Sequence, residues 1–408
     1  MRERFAKKYW ISALIIAVLV TIVLSASIVS AIAKNVTVKP KSVRDSALAA
    51  SDTKGEKMFN ERIYTTTHNR SKWLYDLISA SGKATLIDSS DPQKIFDAAV
   101  GCGILSDFTE DDMVQPLTRL FVAQTTVKAL GYKQRTPGRI ADINSMQSAM
   151  ATMAYYGYFL PDVNMMVYPD QEITPEEYES LLTQLALYGK LKGKTILSFG
   201  DSIMHGSGNK DEGVADMIAE KYGMTAADYS VPGAAMGDRA GRAQIINQIP
   251  LALKDKVKPA VILINGGSND MYTVPLGEFT EGYDMTNTSI KSFTGGFEKT
   301  LWTIINNWNG VPIIYVRAHN MDIGSDKNEK QFGERALAVA DKWGASSVDI
   351  YEDTDMVTED QYTSGRYTYF EPLMGNIPDS IHPNALGYAK FYLPSVTDEI
   401  VKRTEKDR

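Results

Sequence analysis

Four polar side chains in this sequence have types and spacings suited to acyl transfer. Ser202 follows the glycine-marked end of an apolar run, where a hydroxyl and a backbone N–H would be exposed. Asp379 lies three residues before His382, so its carboxylate can bind one imidazole nitrogen and leave the other free to act as a base. Asn269, after a second apolar run, can present an amide donor. A helix cap at Ser202, a glycine-rich turn at Asn269 and a structural role for His382 are the plain alternatives.

The segments around these residues alternate between short apolar runs and amphipathic stretches. The strand-like runs cover 195–199, 260–264, 312–316 and 347–350, and the helical patterns cover 213–222, 296–308 and 385–403. This alternation predicts a parallel sheet covered by helices on both faces, within a domain that extends from 191 to 408. Chemistry in such sheets gathers at the carboxyl ends of the strands, which is where the candidate serine and asparagine lie.

Charge and cysteine content exclude several classes of function. The 408 residues include 43 Lys+Arg and 50 Asp+Glu, and the net charge of −7 argues against nucleic acid as a partner. A single cysteine, Cys102, permits neither an intramolecular disulfide nor a cysteine-cluster metal site. His68, His205 and His319 have no carboxylate at a recognisable ligand spacing, so we expect no metal.

The amino terminus has the pattern of a membrane segment. Residues 10–33 contain no charged side chain and, at about 1.5 Å per helical residue, would span the roughly 30 Å hydrocarbon core. The length predicts an uncleaved signal anchor, with residues 1–9 as a cytoplasmic tail and the rest of the chain outside the cell. Ala31-Ile32-Ala33 also fits a cleavage site, which would make the protein secreted.

Two further regions precede the predicted α/β domain. Residues 34–90 are polar and mixed, with one short helical pattern at 73–78, and we interpret them as a stalk. Residues 91–190 contain a degenerate repeat of two helices, in which the second helix begins at Thr118-Arg119 in one copy and at Thr174-Pro175 in the other. The pattern resembles the S-layer homology module, which implies binding to wall-linked polysaccharide. A helical spacer is the alternative.

The blocks from 191 onward resemble the SGNH (GDSL-type) esterase family. Its motif residues correspond to Ser202, to Gly233 in Ser-Val-Pro-Gly-Ala, to Asn269 in Gly-Ser-Asn-Asp, and to Asp379 and His382. The resemblance implies a three-layer α/β/α, flavodoxin-like fold and a Ser-His-Asp mechanism without a cofactor. It also implies an oxyanion hole formed by the backbone N–H groups of Ser202 and Gly233 and the amide of Asn269.

The expected substrate is an acylated glycan. A tethered esterase beside a glycan-binding repeat would act on envelope or environmental polysaccharide, with O-acetyl as the expected acyl group. We expect Asp201, His205, Tyr367 and Tyr369 to line the substrate site, the last two within an aromatic stretch that could instead pack its own loop. The alternatives are a lipid-directed esterase or lysophospholipase, favoured by the nearby membrane, and a non-catalytic envelope glycan-binding protein.

Overall fold

The structure is a computed structural model that describes residues 69–83, 91–106, 108–136, 138–321, 326–371 and 377–405. The predicted tail and anchor, residues 1–33, and the first part of the predicted stalk lie outside these ranges. Within them, no helix combines the length and apolar character that crossing a bilayer requires.

A five-stranded parallel sheet forms the centre of the carboxyl-terminal part. Its strands are β1 (Thr195–Phe199), β2 (Thr225–Asp228), β3 (Val261–Ile264), β4 (Ile313–Arg317) and β5 (Ser346–Asp349). They are ordered β2-β1-β3-β4-β5, and Leu197 pairs with Ala227 on one side and Ile262 on the other. The predicted parallel sheet is confirmed, and its carboxyl edge is where the loops after β1 and β3 meet.

Helices cover both faces of this sheet because its central strands β1, β3 and β4 are buried on both sides. Packed on one face are α7 (Val214–Tyr222) and α14 (Leu393–Glu405). On the other are α8 (Ile249–Lys254), α9 (Phe293–Asn307) and α10 (Asp326–Lys342). Ile196 belongs to the first core and Leu197 to the second, as expected for side chains that alternate along a strand.

Short elements at the carboxyl edge complete this part of the chain. They are α6 (Ser202–His205), α11 (Ile350–Asp353), α12 (Gln361–Tyr367) and α13 (Ala385–Gly387), the last followed by a π-helical turn at Tyr388–Tyr392. Strands β6 (Thr368–Glu371) and β7 (Ile377–Pro383) pair as an antiparallel ribbon. The ribbon carries the Asp-x-x-His segment to the same edge as Ser202.

Helices also fill the described residues before the sheet. They are α1 (Arg70–Ser81), α2 (Pro92–Gly101), α3 (Arg119–Leu130), α4 (Ser148–Tyr155) and α5 (Pro175–Leu191). The hydroxyls of Thr118 and Thr174 cap α3 and α5 by accepting hydrogen bonds from the N–H groups of Phe121 and Glu177. We refer to residues 69–191 as the helical region; its resemblance to the S-layer homology module stays a prediction.

The predicted stalk boundary at residue 90 is wrong for α1. Trp73 is fully buried, donates from its indole N–H to the hydroxyl of Thr125 at 2.9 Å, and packs edge-on against Tyr178. Helix α1 is therefore part of the helical region's core. This core is continuous with one face of the sheet, because Tyr132 and Tyr222 belong to the same buried cluster.

Candidate active site

The turn after β1 places Ser202 at the first position of α6. A side chain at Gly200 would collide with Met204, since an added Cβ would lie 2.6 Å from its Cβ atom. The amide of Gln248 holds this turn by donating to Gly200 O at 2.7 Å and accepting from Gly200 N at 2.9 Å. Asp201 caps α6 through a 2.9 Å hydrogen bond from the N–H of Ile203. The serine hydroxyl is thus fixed at the edge of the sheet.

The Asp-x-x-His segment forms a tight turn within β7. The carboxylate of Asp379 accepts hydrogen bonds at 3.0 Å from the backbone N–H groups of Ile381 and His382, and its second oxygen lies 2.6 Å from His382 Nδ1. Between them Ser380 has φ = 60°, a left-handed conformation. Burial alone would raise the pKa of Asp379, but these hydrogen bonds outweigh it and hold the pKa below its usual value.

The two segments meet through a hydrogen bond between residues 180 positions apart. His382 Nε2 lies 2.9 Å from Ser202 Oγ. Because Asp379 accepts at Nδ1, the neutral ring carries its proton on Nδ1, and Nε2 accepts the hydrogen of the serine hydroxyl. The structure therefore aligns a carboxylate, an imidazole and a hydroxyl in one row, which is the arrangement that activates a serine nucleophile.

Asn269 lies beside this row. Its side-chain Nδ2 donates to Ala234 O at 3.1 Å and makes a longer, 3.4 Å contact with the buried carboxylate of Asp201. Gly233, directly before Ala234, has φ = 77°, so its backbone requires the freedom of glycine. Asn269 is thereby joined to the loop that contains Gly233. Burial raises the pKa of Asp201 to about 6.

Two residues that sequence reasoning missed hold the Asn269 loop. The fully buried carboxylate of Asp270 accepts hydrogen bonds from the N–H groups of Met236 at 3.0 Å and Gly237 at 2.8 Å. Burial raises the pKa of Asp270 to about 7. Arg239 donates to Asn269 O at 2.8 Å. Asp270 is adjacent to Asn269 in the sequence, which is a usable signal, whereas nothing local marks Arg239.

A comparison with protein families identifies the family of the segment that contains Ser202, His382 and Asp379. Residues 198–390 match the model of the GDSL-like lipase/acylhydrolase family. These residues form a GDSL-like hydrolase domain. The resemblance to SGNH esterases is confirmed for this part of the chain, which is a carboxylic ester hydrolase of the SGNH type.

Comparison with solved structures finds further esterases similar to the GDSL-like domain. One is an acetyl xylan esterase from Geobacillus stearothermophilus, with 17% identity over 52% of this chain and 95% of that chain and a TM-score of 0.34. Another is a family two carbohydrate esterase from Clostridium thermocellum in complex with cellohexaose, with 17% identity over 53% of this chain and 66% of that chain and a TM-score of 0.37. No curated protein matches the chain.

Ser202 and His382 of the GDSL-like domain line a cleft with a volume of about 270 Å³. Seven of its ten lining residues carry a polar group. The remaining lining residues are Ile203, Arg239, Ser268, Asn269, Tyr272, Thr273, Met321 and Ile381. Tyr272 presents an exposed ring at this site.

The predicted lining residues lie elsewhere in the GDSL-like domain. Asp201 is completely buried, because it caps α6 from beneath the serine. His205 faces Asp211 and Asp228, with nitrogen–oxygen distances of 3.3 and 3.5 Å. Tyr367 is buried against Phe391, and Tyr369 lines a different cavity. None of the four is among the residues that line the cleft, so proximity in sequence to the motifs did not mean proximity to the cleft.

A further histidine near His382 is buried. His319 is fully buried, and burial lowers its pKa to about 3. Its Nδ1 lies 2.7 Å from the hydroxyl of Tyr392. Within the described ranges, no group of three or more His, Cys, Asp or Glu side chains is arranged to hold a metal ion.

Proposed function

We propose that this protein is a membrane-anchored, extracytoplasmic serine esterase that removes O-acetyl or other short acyl groups from envelope or environmental polysaccharide. The hydrogen-bonded row of Ser202, His382 and Asp379 beside Asn269 carries the proposal. The roles of the four residues follow from which atom each one presents to the cleft.

The first half of the reaction transfers the acyl group to Ser202. Its Oγ attacks the ester carbonyl while His382 Nε2 takes the hydroxyl proton, which general-base catalysis typically makes about 10²–10⁴-fold faster. The carboxylate of Asp379 holds the ring and stabilises the imidazolium that forms. The imidazolium then returns the proton to the sugar oxygen, which leaves as an alcohol.

The second half releases the acid. A water molecule attacks the acyl-serine and gives its proton to His382 Nε2. As the intermediate collapses to the free acid, the imidazolium returns that proton to Ser202 Oγ. In both halves the oxyanion would bind the N–H groups of Ser202 and Gly233 and the amide of Asn269. The 3.4 Å contact from Asn269 to Asp201 is long for a hydrogen bond, so this amide hydrogen can be redirected to an oxyanion at little cost.

The shape and polarity of the cleft favour a small acyl group on a polar alcohol. A space of about 270 Å³ suits an acetyl group with part of a sugar better than a long acyl chain. Arg239, Thr273 and the exposed ring of Tyr272 offer hydrogen-bonding and stacking partners for a sugar. Membrane attachment and the extracytoplasmic location rest on the apolar segment 10–33.

Acetate release from O-acetylated polysaccharide tests the proposal directly. The full chain should release acetate from acetylated glycan, and Ser202→Ala should reduce the rate by at least about 10⁴-fold while melting at an unchanged temperature. Ser207→Ala, a nearby serine substitution, serves as the matched control and should keep the activity.

The acyl chain length separates the substrate classes. We expect p-nitrophenyl acetate to be cleaved with a higher kcat/KM than the octanoate or palmitate esters. A preference for long chains would replace polysaccharide with lipid as the substrate. Unchanged activity in Ser202→Ala would refute the serine mechanism itself.

A further inference from the structure

A second cavity, separate from the cleft, lies between the helical region and the GDSL-like domain. Its volume is about 560 Å³, within the range of roughly 300–1,000 Å³ common for small-ligand sites. One wall belongs to the helical region and includes Arg135, Arg139 and Met165. The opposite wall includes Lys210, Arg366 and Leu386. Ser202 and His382 line the cleft and are not among the residues that line this cavity.

The lining of this cavity is strongly cationic. Five basic side chains face a single carboxylate, that of Glu212, although the chain as a whole carries a net charge of −7. The basic residues are Lys133, Arg135, Arg139, Lys210 and Arg366. Such a local excess of positive charge attracts anions.

Two of these cations have no anionic partner among the residues that the structure describes. Lys133 and Arg135 both form ion pairs with Glu212. The guanidinium of Arg366 donates hydrogen bonds to backbone carbonyls of the helical region. Arg139 donates one hydrogen bond to Gly365 O and lies over the ring of Phe370. Among the residues that the structure describes, no carboxylate lies within 4.0 Å of the charged groups of Arg139 or Lys210.

The backbone is strained where it lines the cavity. Lys210 has φ = 56° and Asp211 has φ = 62°, and across the cavity Met165 has φ = 60°. Each such residue costs of order 1 kcal/mol, and strain of this kind gathers at functional sites. The side chain of Asn209 holds the Lys210 loop by donating to Glu212 O at 2.8 Å and to the hydroxyl of Tyr155 at 3.0 Å.

We propose that this cavity binds an acidic saccharide unit, a sugar that carries a carboxylate or a phosphate. Arg139 and Lys210 would hold the anionic group, since no carboxylate of the described residues neutralises their charges. Tyr369 lines the same space and supplies an aromatic surface on which a sugar ring packs. The site goes beyond the esterase reaction, because it does not contain the residues of the cleft.

Calorimetric titration of the full chain with Ser202→Ala tests this site without turnover. Trigalacturonate provides the carboxylate, glucose 6-phosphate provides the phosphate, and neutral cellotriose is the uncharged comparison. We expect one or both acidic ligands to bind at least about 10-fold more tightly than cellotriose and to weaken as salt is added. The tighter acidic ligand identifies the anion.

Charge substitutions locate the binding. Arg139→Gln with Lys210→Gln should weaken the acidic ligand about 10-fold or more. Lys254→Gln with Lys258→Gln removes the same charge from exposed positions elsewhere and should leave binding unchanged.

Thr136→Trp, at an exposed position of the rim, should block the cavity without removing charge. Each variant, made with Ser202 intact, should still cleave p-nitrophenyl acetate, which shows that it folds.

Three results would overturn the proposal. They are the absence of binding by both acidic ligands, equal binding of acidic ligands and cellotriose, and full binding by the Arg139/Lys210 variant and by Thr136→Trp. None of these results bears on the serine mechanism, which is measured separately by ester hydrolysis.

Discussion

The catalytic cleft and the interface between the helical region and the GDSL-like domain are both polar, yet they are built in opposite ways. In the cleft, Ser202 and Asn269 converge because β1 and β3 end at the same edge of the parallel sheet. The separate β6-β7 ribbon brings His382 to that edge. At the interface, single residues pair across long sequence distances, as Arg135 does with Glu220 and Tyr132 with the backbone of Lys221. Sequence motifs therefore predict the catalytic residues, whereas the contacts of the interface can be identified only from the structure.

The cleft and the interface also differ in how far their charged side chains are exposed to solvent. The row from Asp379 to Ser202 is partly open to solvent and is arranged for a charge that appears only during reaction. At the interface, the side chains of Arg135 and Lys221 are held largely out of water. Substitutions in the cleft should thus change rate with little change in stability, and substitutions at the interface should do the reverse.

The largest expected effect is that of Asp379→Asn on rate. Asparagine keeps the size of the side chain but cannot stabilise the imidazolium, and its amide no longer selects the Nδ1–H form of His382. We expect kcat for p-nitrophenyl acetate to fall by about 10⁴-fold. Asp353→Asn, at an exposed position, is the matched control and should be neutral. A decrease of less than tenfold would remove Asp379 from the proposed mechanism.

Much of the cleft could be predicted from sequence because short-range patterns determine it. The run at 195–199 coincides with β1, and the runs at 260–264 and 312–316 differ from β3 and β4 by one residue. Ser202, Asp379 and His382 were predicted to act together, and the structure brings their side chains into hydrogen-bond contact. Their catalytic roles stay predictions until the variants are measured.

Features that depend on tertiary packing could not be predicted. Arg239 reaches Asn269 from a loop with no recognisable pattern. The local sequence of α1 does not show that the helix is buried, because the residues it packs against, such as Thr125, lie some fifty residues away. The cavity lined by Arg139 and Lys210 exists only where two parts of the chain meet, so neither segment alone indicates it.

Arg135→Met gives the next largest effect and tests the interface. The guanidinium pairs with Glu212 and Glu220 and packs over the ring of Tyr155 at 3.9 Å. Removing it leaves partly buried carboxylates short of a partner, and we expect a loss of about 2–4 kcal/mol in the free energy of unfolding. Lys133→Met removes an exposed cation from the same Glu212 and should cost less than about 1 kcal/mol.

Urea unfolding and ester hydrolysis of both variants measure this contrast. The folded Arg135→Met protein should keep kcat/KM within about twofold of the parent, since the interface lies outside the cleft. Equal losses of stability in the two variants, or a large loss of kcat in Arg135→Met, would show that cleft and interface are not independent.

The smallest effect is a pH dependence of stability that originates at Lys221. Its side chain is buried beside the ring of Tyr158 at 4.6 Å, and burial lowers its pKa to about 7. The unfolded chain, with a lysine pKa of about 10.4, binds a proton between these values that the folded chain does not bind. Stability contributed by this site is therefore present above about pH 10.4 and is lost as the pH falls toward 7.

Lys221→Met keeps the buried stem and removes the ammonium, so it should eliminate this dependence. We expect the variant to be more stable than the parent at pH 7.5, by an amount that shrinks by about 1 kcal/mol per pH unit up to pH 9. Lys254→Met, at an exposed position, should show a constant difference over the same range. A constant difference for Lys221→Met as well would mean that Lys221 stays charged at the interface, and that this region is more open to water than its packing indicates.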